Sequence, residues 1–170
     1  FDQISLKGRA LRLLSGREHS RAELQRKLKA HETEPGELAK ALDELEAKGF
    51  INEQRVLESV VHQRSAKLGA SRVRQELQAK GLNPEAVAQA VADLQGTEVA
   101  RAREVWRKKF GQPPADFAER GKQMRFLASR GFSPEAIRTA ALDWESGHPR
   151  FGEVVGYVGP RLVAPPLAGL

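Results

Sequence analysis

Apolar residues recur along this chain at the spacing of one helix face, and the pattern returns three times. Leu38, Ala41, Leu42 and Leu45 stand at i, i+3, i+4 and i+7, as do Val87, Ala90, Val91 and Leu94, and Ile137, Ala140, Ala141 and Trp144. The second set follows the first at an offset of 49, and the third follows the second at 50. The residues before the last two sets repeat as well. Leu77 to Val87 aligns with Leu127 to Ile137, with Leu, Gly, Pro, Glu and Ala identical. Each set has a proline near its start, Pro35, Pro84 or Pro134, and at the first helical position proline gives up no hydrogen bond. Asn83 and Ser133 stand before two of these as N-caps.

Each set is preceded by two further helical stretches. In the first unit Leu6, Ala10, Leu13 and Leu14 form one stripe, interrupted at Ser15-Gly16. Ser20 then opens a second helix with Glu23 as its capping-box partner, and Leu24 and Leu28 face inward. The second unit opens at Asn52 as N-cap, with Leu57, Val60 and Val61, a break at Gly69, then Ser71, Val73 and Leu77. The third opens at Thr97, with Val99, Ala102, Trp106 and Phe110, a break at Gly111 to Pro114, then Asp116 as the cap of a helix carrying Phe117, Met124 and Leu127. Nothing reads as a strand. The pattern therefore predicts an all-α fold of three tandem three-helix repeats over 4–50, 51–96 and 97–144, forming an elongated, curved array. Phe50, Leu82 and Phe132, each following a glycine, are expected to fill joints between helices, and Trp106 and Trp144 to lie in cores. Each unit is too small for a large core of its own, so neighbour contacts should supply part of the stability. Residues 145–170 hold five Gly and four Pro without a helical period, which predicts a disordered or loosely docked tail.

Composition narrows the class. Among 170 residues 40% are hydrophobic and only 6% aromatic, the balance of a helical protein. No apolar run approaches the roughly 18 residues of a membrane span. Without cysteine there is no disulfide, thiolate metal site or thiol nucleophile. No signal peptide is visible, so a cytoplasmic protein is expected; the chain begins at Phe1, which leaves room for native residues before it.

The net charge of +6 hides a segregation. Residues 1–30 carry +5 and 31–50 carry −4; 51–82 carry +3 and 83–100 carry −3; 101–130 carry +6 and 131–144 carry −1. In a solenoid, equivalent helices share a side, so the first two helices of each unit would form a basic stripe suited to a periodic polyanion.

No catalytic motif appears, neither a phosphate loop, a His-Glu-x-x-His helix nor a nucleophile elbow. His19, His31, His62 and His148 include no pair at metal-binding helical spacing, and the carboxylates lie beside lysines and arginines as on a solvated face. The sequence points away from an enzyme, a cofactor or a metal.

The segments Ala10 to Leu28, with Arg17-Glu18-His19-Ser20 at their centre, Gly49 to Arg55, and Lys67 to Gly81 resemble the RecX family of recombinase regulators. The resemblance covers about residues 4–144, is weakest in the third unit and leaves out the tail. It implies a tandem three-helix fold. It also implies a protein that binds the RecA filament on single-stranded DNA and inhibits its strand exchange, ATP hydrolysis and coprotease activity, and so modulates recombination and the SOS response. Contacts to the filament are expected from Arg17, Arg21, Arg26, Lys27, Arg64, Lys67, Arg72, Arg74 and Lys80. A monomer is expected, with weak binding of duplex DNA at most and no membrane partner. Two alternatives stand beside this. One is a helix-turn-helix regulator reading duplex DNA through Ser20–Lys29 or Ser71–Lys80. The other is a repeat scaffold for an acidic protein.

Overall fold

The structure, a computed structural model, describes residues 4–145, with side chains through Ala141. The tail that the sequence reads as irregular, and the side chain of Trp144, lie outside the described residues. Nine α-helices occur among the described residues, and no strand. They are α1 (Leu6–Gly16), α2 (Arg21–Leu28), α3 (Glu37–Ala47), α4 (Glu53–Arg64), α5 (Ala70–Ala79), α6 (Pro84–Gly96), α7 (Glu98–Lys109), α8 (Phe117–Ser129) and α9 (Pro134–Glu145), with a short 3-10 turn at Lys29–His31. None of these helices is long and apolar enough to cross a membrane.

The helices begin where local chemistry favours it. Ser20 and Glu23 form the reciprocal capping box on α2. Asn52, Asn83 and Asp116 accept backbone amides at the starts of α4, α6 and α8, and Ser133 accepts from the Ala136 amide at the start of α9. Pro84 and Pro134 open their helices, but Pro35 does not. It sits in a turn with Gly36, whose φ of 86° is a left-handed conformation, and α3 begins at Glu37. Here the turn geometry, not the proline, sets the boundary. At α5 the N-cap is Gly69, at the break the sequence shows, and the Ser71 hydroxyl is used elsewhere.

Among the described residues three separate apolar clusters form, one in each unit. The first gathers Leu6, Ala10, Leu24, Leu28, Leu38, Leu42, Leu45 and Ile51. The second gathers Val56, Leu57, Val60, Val73, Leu77, Val87, Val91 and Leu94. The third is built on Ala102, Trp106, Leu127, Phe132, Ile137 and Ala141. Trp106 is core, as its stripe predicts, and its indole N–H donates to Gln123 Oε1 at 2.8 Å, so both buried polar groups are satisfied. Leu82 and Phe132 pack within the clusters of their own units. Phe50 departs from the expectation for it. It is 48% exposed, and the next residue, Ile51, enters the core in its place. A phenylalanine after glycine and a β-branched residue one place later are both plausible fillers in sequence, and the turn's register chooses the second.

A candidate binding surface at the joints between units

The units meet through polar contacts built twice on one plan. In each joint the turn between the second and third helices of one unit sits on the N-terminus of the second helix of the unit before it.

At the first joint the Lys80-Gly81 turn lies on α2. The Ser20 hydroxyl, already accepting from the Glu23 amide at 3.2 Å, donates to the Lys80 carbonyl at 2.6 Å. The Arg26 guanidinium donates to the Ala79 carbonyl at 2.9 Å. Glu23 gathers donors from both units. Its Oε1 accepts from the Ser20 amide at 3.2 Å and from Lys80 Nζ at 3.1 Å, and its Oε2 accepts from Arg17 at 2.6 Å. Burial opposes the charge of Glu23, but the bonds from Arg17, Ser20 and Lys80 outweigh it and hold its pKa at about 2. Gly81 has φ of 68°, and a Cβ there would stand 2.8 Å from that of Ala22. Arg55 adds a 2.9 Å bond to Glu18.

His19 is buried behind this joint. Lys27 Nζ donates to its Nε2 at 3.2 Å, so its Nδ1 bears the proton, 3.0 Å from the Arg17 carbonyl. Burial lowers its pKa. The Arg17 carbonyl and Glu23 oppose that, while the charges of Arg17 and Lys27 reinforce it.

At the second joint the Arg130-Gly131 turn lies on α5. The Gly69 amide donates to the Arg130 carbonyl at 2.8 Å, the Ser71 hydroxyl to the Gly131 carbonyl at 2.7 Å, and Arg72 to the Ser129 carbonyl at 2.8 Å. Glu98, buried at the start of α7, accepts from the Ala70 amide at 2.9 Å. The approach is so close that a Cβ on Gly69 would run into the Gly131 carbonyl. Arg101 completes the joint, donating to the carbonyls of Ser65 at 2.9 Å, Leu68 at 2.6 Å and Leu94 at 2.8 Å. Burial lowers its pKa and Glu98 opposes that.

This geometry gives most of the nine sequence candidates an internal partner. Arg17 and Lys80 hold Glu23, Arg26 and Arg72 cap turns across the joints, and Lys27 meets His19. Arg21 pairs with Asp43 at 2.6 Å and Glu46 at 2.8 Å, and Arg64 with Glu76 at 3.1 Å. Lys67 and Arg74 are exposed. The nine do not form one continuous patch of free charge. They divide between the joints and their rims.

Two hollows follow the joints. A cleft of about 210 Å³ between units 1 and 2 mixes Arg17, Arg64 and Lys80 with Glu18 and Glu76. A groove of about 510 Å³ between units 2 and 3 has Arg64 and Lys67 on one wall and Lys108, Lys109 and Arg130 on the other, over Leu68, Val105 and Phe126. Lys109 Nζ stands 5.5 Å, and the Arg130 guanidinium 4.8 Å, from the centre of the Phe126 ring, which Phe110 meets edge-on at 5.4 Å. Lys108, Lys109 and Arg130 are not among the sequence candidates. The +6 of residues 101–130 was a signal for them, but helical spacing within one unit does not tell which cations converge across two.

Comparison with known proteins agrees with this architecture. Family models described as the first, second and third three-helix domains of RecX match residues 7–45, 52–91 and 97–140. The chain is 53% identical over 136 residues to a regulatory protein RecX of Leptothrix cholodnii, covering 80% of this chain and 87% of that one. It is 50% identical over 134 residues to its counterpart in Ralstonia nicotianae, covering 79% and 84%. A crystal structure of RecX from Lactobacillus salivarius shares the fold, with a TM-score of 0.65 at 20% identity over 83% of this chain and 95% of that one. Three matched domains in order, and this identity over most of the chain, show that the protein belongs to the RecX family of regulatory proteins.

Proposed function

We propose that this protein binds the RecA filament on single-stranded DNA and inhibits its recombinase, ATPase and coprotease activities, acting as a cytoplasmic monomer that modulates recombination and the SOS response. Membership of the RecX family is the main support. The single structural observation that favours this reading is the repeated joint. Because each turn is fastened to the preceding unit by the same kind of contact, cations from successive units are held at a recurring interval. A periodic target such as a filament matches that arrangement.

The helix-turn-helix alternative uses the N-terminus of a recognition helix to read base edges. In α2 and α5 that end carries the next unit's turn, through Ser20 and Ser71, and this disfavours the alternative.

The test is RecA-catalysed ATP hydrolysis on single-stranded DNA. Inhibition is expected, weakening as salt rises. Reversal of the exposed charges Lys67→Glu and Arg74→Glu should reduce it while leaving helical content unchanged. Sequence-selective duplex binding with no effect on hydrolysis would favour the repressor reading, and neither effect would favour the scaffold.

A further inference from the structure

We infer that the groove between units 2 and 3 is the seat of the nucleic-acid strand, taking the phosphodiester backbone of single-stranded DNA between Lys67 on one wall and Lys109 and Arg130 on the other. This deepens the reading above by separating the surface that meets the strand from those that meet the recombinase.

Three observations carry it. The first is the sign of the lining. Among the described residues the groove between units 2 and 3 is lined by five cationic side chains and no carboxylate, whereas the cleft between units 1 and 2 contains two glutamates. The second is how the cations are held. Arg64 pairs with Glu76, and Lys108 lies 3.8 Å from Glu104, but Lys109 and Arg130 are placed over the ring of Phe126. An aromatic face positions a cation without neutralising it, so their charge remains available to an anion. The third is the floor. Leu68, Val105 and Phe126 supply an apolar strip against which a base or sugar can lie while the phosphates meet the cations at the rim, as in other single-strand channels.

The test uses the full chain and a fluorescently labelled oligothymidylate, with no recombinase present. Binding is followed by anisotropy over a range of salt. The wild-type protein should bind, with an affinity that falls steeply with salt. Lys67→Ala combined with Lys109→Ala, one from each wall, should weaken binding at least tenfold at low salt. It should also reduce the slope of log affinity against log salt by roughly 1.4, about 0.7 for each phosphate contact to a single strand. Lys40→Ala combined with Lys48→Ala removes the same charge from the exposed side and C-terminal end of α3 and should change neither quantity. An unaltered slope in the groove variant overturns the inference, as does an equal loss in the α3 variant or no binding by the wild type. Should the groove variant keep its oligonucleotide affinity but lose inhibition of RecA ATP hydrolysis, the groove faces the recombinase. That result overturns this inference and leaves the proposed function standing.

Discussion

At Glu23 one carboxylate gathers donors from both sides of a joint, and its ionisation is therefore linked to the stability of the array. Its folded pKa of about 2 lies below the ordinary 4.5, so the stability it contributes is complete above the ordinary value and is lost as pH falls toward about 2. Glu23→Gln would leave Arg17 and Lys80 without their counter-charge. A loss of about 1–3 kcal/mol is expected in urea unfolding at neutral pH, and the gap from wild type should narrow as the buffer approaches about pH 3. His19 works with the opposite charge. Its neutral imidazole is buried between the Arg17 carbonyl and Lys27. The unfolded chain takes up this proton more readily than the folded one, so stability should decline as pH falls through about 6.5. His19→Gln should remove that part of the pH dependence. A variant with the wild-type slope would exclude this role for His19.

Among the elements, the turns dominate the assembly, and the second joint depends on two glycines in contact. Gly69 has φ of −75°, which any residue can adopt, so only space requires glycine there. Gly69→Ala should cost about 1–3 kcal/mol through overpacking against Gly131. Gly16→Ala meets nothing at the end of α1 and should be neutral or stabilising by about 0.5–1 kcal/mol. Thermal unfolding of the two variants side by side checks the contrast. Such a requirement could not be read in advance, since Gly69 looks in sequence like an ordinary helix break. What was legible is what local chemistry decides: the caps at Ser20, Asn52, Asn83, Asp116 and Ser133, the three apolar stripes, and the units they define. Less legible was anything set by contact between units. Arg17, Arg26, Arg72 and Lys80 read as a surface for a partner because the acceptors they take do not stand at helical spacing from them. The acceptors are a carboxylate and turn carbonyls more than fifty positions away or, for Arg17, six. The same limit hid Lys108, Lys109 and Arg130, which belong to one unit and complete a groove only with Lys67 of another.

Across the whole molecule, three cores joined by hydrogen bonds make cooperativity a property of the joints. Apolar burial holds each unit together, while the joints rest largely on single hydroxyl, amide and guanidinium contacts to backbone carbonyls. Both tryptophans, Trp106 and Trp144, belong to the third unit, so fluorescence reports on that unit and circular dichroism on all three. Ser71→Ala with Arg72→Ala should lower the midpoint seen by fluorescence more than that seen by circular dichroism, because unit 3 is released first. Coincident midpoints in the double variant would mean that the cores are coupled by something other than these bonds.

The acceptors in both joints are mostly main-chain carbonyls, of Ala79 and Lys80 in one and of Ser129, Arg130 and Gly131 in the other. A carbonyl is present whatever side chain the turn carries, so the fastening is generic on one side and specific only on the other. Unit 2 bears both halves, since it offers its Lys80-Gly81 turn backward and receives a turn on Ser71 and Arg72. Its first helix begins with Glu53, in the place Glu98 holds in the third unit. The middle unit is thus a module that can follow itself. A chain in which residues 51–96 are duplicated in tandem should fold into a four-unit protein of proportionally greater length, with a second copy of the same joint at its centre.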